Sequence, residues 1–262
     1  MMIGKFFIRF NLHNSICSFP TSFRILKPMV DISDSELEAY LEEIESTHIS
    51  RAENLKSSHS KEADLLRSRK VLFIGDSITS DNLGYRLTVT AAAELNALDG
   101  SVSGGTTATV IHSSKAQISS FKPDLISIMM GSNDSVGVGD EGIRQVSIEE
   151  YERNLRAILK WSVESGAAIL LFEIPPVHES RFKASFTSQY KCQSNDNIKK
   201  YNCILKNIAN EYGIPLIPHS WLKDEAVDQL FESDGIHLSP QGQELFAKNW
   251  LTSAAKIINA KE

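Results

Sequence analysis

Short apolar runs alternate with amphipathic stretches along most of this chain. Val71-Leu72-Phe73-Ile74 is closed by Gly75, and similar runs follow at Leu125-Ile126-Ser127-Ile128-Met129-Met130, Ala168-Ile169-Leu170-Leu171-Phe172 and Ile214-Pro215-Leu216-Ile217. Runs of four to six apolar residues bounded by turn formers read as buried strands. A weaker strand is expected at Ser101-Val102-Ser103. Between the runs the 3.6-residue period predicts helices over 83–98, 108–121, 148–164, 196–212, 222–230 and 240–259. Ser147 with Glu150 three residues on caps the third of these, and Ser239 before Pro240 caps the last. Strands alternating with helices give a parallel sheet covered on both faces, so the expected fold is a three-layer α/β/α sandwich with five parallel strands.

The first 68 residues break this rhythm. Residues 31–68 are polar and poor in Gly and Pro. Ser33 and Glu36 form a capping-box pattern that starts a helix through about Glu45, and a second helix is expected from about Ser50 to Arg67. With few apolar positions, the pair reads as a helical extension (1–68) of the α/β domain at 69–262.

Composition narrows the function classes. The chain has 262 residues, 42% of them hydrophobic, enough to bury a core of its own without disulfides or structural metal. No apolar run reaches the length of a membrane span. A net charge of −6 argues against a nucleic-acid partner. Residues 1–30 nevertheless carry Lys5, Arg9, Arg24 and Lys27 and no acid. That basic, Phe-rich start reads either as a targeting segment or as a stretch upstream of a true start at Met29. The expected compartment is the cytoplasm, with a secreted or targeted product as the alternative. Three cysteines, Cys17, Cys192 and Cys203, make no disulfide framework and no zinc spacing. They are expected as free, buried thiols.

Ligands in open parallel sheets bind at the carboxyl ends of the strands. Four polar blocks fall there or just before the last helix: Gly75-Asp76-Ser77, Ser103-Gly104-Gly105, Gly131-Ser132-Asn133-Asp134 and Asp234-Gly235-Ile236-His237. Together they hold what acyl transfer needs. Ser77 is a candidate nucleophile on a strand-to-loop turn, His237 a candidate base, and Asp234 a candidate acid that orients the imidazole. The backbone N–H groups of Ser77 and Gly104 and the amide of Asn133 are the candidate donors for a developing oxyanion. Asp76 and Asp134 are expected to hold loops rather than to move protons. His112, His178 and His219 compete weakly for the role of base, none having an Asp three residues earlier. Phe182, Phe186 and Tyr190 follow the fourth strand and are expected either to line an acyl or sugar pocket or to pack their loop. The stretch 135–142 reads as a flap or as turn punctuation.

These blocks resemble those of the GDSL, or SGNH, hydrolases, named for Ser, Gly, Asn and His in four blocks. Here the four are Ser77, Gly104, Asn133 and His237. Three of the motifs would coincide by chance in a chain of this composition only about 0.001 times. The resemblance covers about residues 69–259. It implies a flavodoxin-like sandwich with strand order 2-1-3-4-5 and hydrolysis of an ester or thioester without metal or organic cofactor. In one place the chain departs from the pattern: Asp99 stands where the second block usually opens with Asn. The substrate expected is a small acyl ester, a carbohydrate O-acetyl ester first. A lysophospholipid or acyl thioester, acyl transfer to an alcohol, and a flavodoxin-like binding module without chemistry are the alternatives.

Overall fold

The computed structural model describes residues 5, 8–10, 33–139, 142–187, 191–219, 222 and 227–261. In chain order these form α1 (Asp34–Ser58), α2 (Ser60–Leu66), β1 (Lys70–Gly75), α3 (Ser77–Ser80), α4 (Tyr85–Ala92), β2 (Asn96–Asp99), α5 (Thr107–Phe121), β3 (Leu125–Met129), β4 (Gly137–Val138), β5 (Ile143–Arg144), α6 (Ile148–Glu164), β6 (Ala168–Phe172), α7 (Glu179–Phe186), β7 (Lys191–Cys192), α8 (Asn195–Tyr212), β8 (Leu216–Ile217), α9 (Val227–Leu230) and α10 (Pro240–Lys261).

Five strands make one parallel sheet in the order β2-β1-β3-β6-β8. The three-layer sandwich is as the sequence pattern predicts, and the 2-1-3-4-5 order is as the family resemblance implies. The central strands β3 and β6 are buried at every residue, which is why they appear in the sequence as unbroken apolar runs. Helices α1, α2, α4 and α10 pack on one side of the sheet, and α5, α6 and α8 group on the other. Trp250 of α10 is fully buried, stacks on Phe73 at 5.4 Å and donates its indole N–H to Ser127 Oγ at 2.9 Å. That bond satisfies the polar end of an otherwise apolar core ring.

Several expectations need correction at the edges. The second strand lies at Asn96–Asp99, not at Ser101–Ser103. The helix expected over 83–98 ends at Ala92, because Glu94 adopts φ 51° and the chain turns back to pair with β1. Residues 100–102 still touch β1: Gly100 N–H donates to Phe73 O and Val102 N–H to Gly75 O, at 2.8 and 3.0 Å. The two N-terminal helices meet at His59, not between Glu45 and Ser50. His48 sits in the expected gap, buried, with its ring bonded to Thr88 Oγ1 and to Asn82 O. The extension is not a mere decoration: Ala52, Leu55, Ala63 and Leu66 join the same core as the sheet. Of the helix expected over 222–230 only Val227–Leu230 is helical among the described residues.

A second small sheet was not foreseen. β5, β4 and β7 pair antiparallel in that order, two residues each. Pairings that short carry no periodicity to read. Cys192 and Cys203 are free, as expected, but exposed rather than buried. Cys17 and Tyr190 lie outside the described residues. No helix among those residues is long and apolar enough to cross a membrane.

Candidate active site

β1 delivers its chain to the rim of the sheet at Gly75, and Asp76 then caps the turn that follows. The Asp76 carboxylate accepts the Ile78 N–H at 3.0 Å, and Ser77 occupies the first position of α3. This fixes the hydroxyl at the rim, with Ser77 only 8% exposed. Asp76 is wholly buried, and that burial pushes its carboxyl up to about 7, against the lowering by the Ile78 N–H and the charge of His237.

The candidate acid and base, Asp234 and His237, come from a tight loop between α9 and α10. Phe231 and Leu238 form a bridge, and Glu232 N–H donates to His237 O at 2.8 Å. Within it the Asp234 carboxylate accepts the N–H groups of Ile236 and His237, both at 3.0 Å. Its other oxygen faces His237 Nδ1 at 2.6 Å, and His237 Nε2 lies 2.9 Å from Ser77 Oγ. The three residues, 160 positions apart at the extremes, form one hydrogen-bonded chain. Burial works against a charged imidazole, but the Asp234 hydrogen bond and charge outweigh it, with Asp81 adding to them and Arg9 opposing. The His237 pKa is raised above the ordinary histidine value. For Asp234 burial acts upward, yet the bonds from His237 and Ile236 leave its pKa lowered.

The candidate oxyanion donors Ser77, Gly104 and Asn133 line the same cavity. Gly104 takes φ +70°, a left-handed conformation that glycine adopts without strain. Among the described residues its N–H has no hydrogen-bond partner, whereas the Gly105 N–H is committed to Val102 O at 2.8 Å. Of the two glycines it is therefore Gly104 that presents a donor to the cavity. Asn133 donates one amide hydrogen to Gly105 O at 3.0 Å, which holds the side chain and leaves a second hydrogen. Asp134 is fully buried and ties the loop after β3 to the start of α5, accepting the Thr107 N–H at 3.0 and 3.1 Å and the Thr107 hydroxyl. Burial raises its carboxyl to about 6 despite those bonds. Asp99 accepts the N–H and hydroxyl of Ser101 and pairs with Arg86 at 3.1 Å. A carboxylate in place of the expected Asn is matched here by a buried guanidinium.

The competing histidines are elsewhere. His112 is exposed on α5. His178 pairs with Asp228 at 2.6 Å and contacts Ser180. His219 is buried against Phe172 and Phe246, bonds to Glu173 O at 2.7 Å, and is pushed down to about 4 by that burial. Ser77, Gly104, Asn133, Asp234 and His237 all line one cavity of about 510 Å³. Phe182 and Phe186 of α7 line it too, their rings 4.6 Å apart, so they serve both as wall and as packing. Ser103 and Ile236 of the four blocks and Val136 of the 135–142 stretch also line it, as do Phe10, Gln145, Ser185 and Lys191, which no sequence pattern marked. No group of acidic, His and Cys residues able to hold a metal is present among the described residues.

Residues 73–245 match the model of the GDSL-like Lipase/Acylhydrolase family. The thioesterase 1/protease 1/lysophospholipase L1 of Escherichia coli strain K12 is 24% identical over 191 residues, which is 69% of this chain and 80% of that protein. The fold matches the lipase/acylhydrolase from Enterococcus faecalis with a TM-score of 0.57 at 20% identity, over 72% of this chain and 96% of that one. It also matches a catalytic mutant of an acetylxylan esterase from Geobacillus stearothermophilus, with a TM-score of 0.54 at 19% identity, over 71% and 94% of the two chains. The extent of the family match, over an unbroken sheet and its rim, makes this chain a member of the GDSL-like lipase/acylhydrolase family, hydrolases of ester bonds.

Proposed function

We propose that the protein is a serine esterase that removes a short acyl group through an acyl-Ser77 intermediate, a carbohydrate O-acetyl ester being the first candidate substrate. The observation that carries the reading is the unbroken chain Asp234–His237–Ser77, with its 2.6 and 2.9 Å links facing a cavity. In this reading His237 takes the Ser77 proton as Oγ attacks the ester carbonyl, and Asp234 stabilises the imidazolium that forms. The N–H groups of Ser77 and Gly104 and the Asn133 amide receive the oxyanion. His237 then gives its proton to the leaving alcohol, and water attacks the acyl-enzyme with the same residue as base. Asn133, Gln145, Ser185 and Lys191 give the cavity a polar share that suits a sugar alcohol. The acetylxylan esterase among the structural relatives supports the same direction.

A second reading, hydrolysis of a longer acyl ester or thioester, is favoured by the rings of Phe10, Phe182 and Phe186 on the same cavity. Acetyl, butyryl and decanoyl nitrophenyl esters separate the two. On the first reading kcat/KM falls steadily from acetyl to decanoyl; a rise with chain length selects the second. We further propose a cytoplasmic protein, since two exposed free thiols suit a reducing compartment. The hydrolase domain is taken as 69–262, with residues 1–68 an extension that shares its core.

A further inference from the structure

Phe10 lines the site cavity, while Ile8 packs against Leu37, Tyr40 and Ile44, and residues 8–10 belong to no part of the proposed triad or oxyanion donors. Their backbone is held in place: Asn82 N–H donates to Arg9 O at 2.7 Å, Asn82 Nδ2 to Ile8 O at 2.9 Å, and Ser80 Oγ to Phe10 O at 3.2 Å. The Arg9 guanidinium forks to two carboxylates. Its Nε and Nη2 reach the two Asp81 oxygens at 2.9 and 2.7 Å, and its Nη1 and Nη2 reach those of Glu232 at 3.2 and 2.7 Å.

The two partners sit on the two separate pieces of chain that make the triad. Asp81 caps the nucleophile turn, its N–H bonded to Ser77 O at 3.0 Å. Glu232 lies two residues before Asp234, its N–H bonded to His237 O at 2.8 Å. Arg9 also lies over the Phe10 ring at 4.9 Å, and that ring packs against the His237 imidazole at 4.4 Å. Asp81 is fully buried and the Arg9 side chain only 18% exposed, so these charge-assisted bonds are little screened by solvent.

We propose that Arg9 is a positioning residue of this esterase: it clamps the Ser77 turn to the Asp234–His237 loop and seats Phe10 against the imidazole. The proposal rests on the esterase reading above. Ser77 and His237 come from opposite ends of the sheet domain, and a single planar fork is the side chain able to bind both carboxylates at once. A lysine holds one of them as a point charge.

The test compares Arg9→Gln, Arg9→Lys and Glu232→Gln with the unaltered protein. The readouts are kcat and KM on nitrophenyl acetate, the rate at which a fluorophosphonate labels Ser77, and the thermal midpoint. Misplacing a base by an ångström lowers turnover by about 100-fold. Arg9→Gln is expected to lower kcat and the labelling rate together by about 10- to 100-fold with KM within about threefold of the original. Arg9→Lys should restore less than half of that loss on a logarithmic scale. Glu232→Gln, which leaves the Asp81 pair intact, should show a smaller loss of the same kind, and it decides the matter if Arg9→Gln does not fold. Unchanged kcat and labelling in folded Arg9→Gln or in Glu232→Gln overturn the clamp, as does full rescue by lysine. A failure of the esterase reading looks different: the unaltered protein is then not labelled at Ser77 at all.

Discussion

Ser77, Gly104 and Asn133 leave the ends of three neighbouring strands of one sheet, β1, β2 and β3, while Gln145, Lys191 and Phe186 reach the same cavity from three separate peripheral segments. The reacting side is cross-braced within itself. Asp76 caps its own turn, Asp134 holds Thr107, and Asn133 holds Gly105. The facing wall hangs on small sheets and short helices, such as the two-residue strands of β4, β5 and β7. On the proposed reading the rim of the parallel sheet carries the chemistry and the peripheral segments shape what reaches it.

This contrast orders the expected losses. Removing the nucleophile or base, Ser77→Ala or His237→Ala, should reduce kcat on nitrophenyl acetate by about 10⁶-fold, leaving only what the oxyanion donors supply. Retention of most activity by purified Ser77→Ala would sink the assignment. Asp234→Asn should lose about 10⁴-fold and also change the pH profile. The base must be neutral to take the Ser77 proton, so kcat/KM falls as pH drops through the His237 pKa, which Asp234 and Asp81 hold up while Arg9 opposes them. Without the Asp234 charge this acid limb should move to lower pH. Asn133→Ala should lower kcat by about 10²–10³-fold, with little effect on KM.

On the facing wall the effects should be smaller and of another kind. Phe186→Ala is expected to leave acetyl ester turnover within a few fold and to change the decanoyl-to-acetyl ratio of kcat/KM by about tenfold. A loss of acetyl turnover as large as that of Asn133→Ala would erase the distinction between the two sides. The smallest effect belongs to stability. Asp76 carries a carboxyl pushed up to about 7 in the fold, against 3.8 ordinarily. The folded state therefore binds a proton that the unfolded chain releases, and the stability this gives is present below about pH 4 and lost as pH rises through 7. Thermal midpoints of the protein and of Asp76→Asn, taken at pH 5 and pH 8, should show the unaltered protein losing ground relative to the variant at the higher pH. A constant difference would mean that this carboxyl does not titrate in that window.

The same contrast governs how much was legible beforehand. The central strands are buried on both faces, so they spell themselves out as apolar runs, and the residues after them fall at the rim by topology alone. That is why the blocks holding Ser77, Gly104 and Asn133 could be placed at the rim from the sequence, while Asp234 and His237, which follow no strand, were marked by their spacing alone. β2 was misplaced because an edge strand of Asn96-Ala97-Leu98-Asp99 is half-exposed and has no apolar run. A break in α1 was expected between Glu45 and Ser50, but His48 is buried there against Thr88 and Asn82 and the helix runs on to Ser58. The facing wall was nearly invisible: Gln145 and Lys191 are ordinary polar residues whose place depends on two-residue pairings. Phe10 stood in a stretch whose composition suggested targeting, and neither burial on His237 nor a fork between Asp81 and Glu232 leaves a trace in composition.

Gly235 sits between the acid and the base with φ +75°, and a Cβ there would come within 2.6 Å of both His178 O and Phe182 N. The His178 N–H also donates to Gly235 O at 2.8 Å. No clearance is left between that loop and the helix that presents Phe182, Ser185 and Phe186. A side chain at 235 would therefore have to displace either the loop that carries Asp234 and His237 or the start of that helix, so this one position ties the spacing of the two segments to the absence of a single carbon.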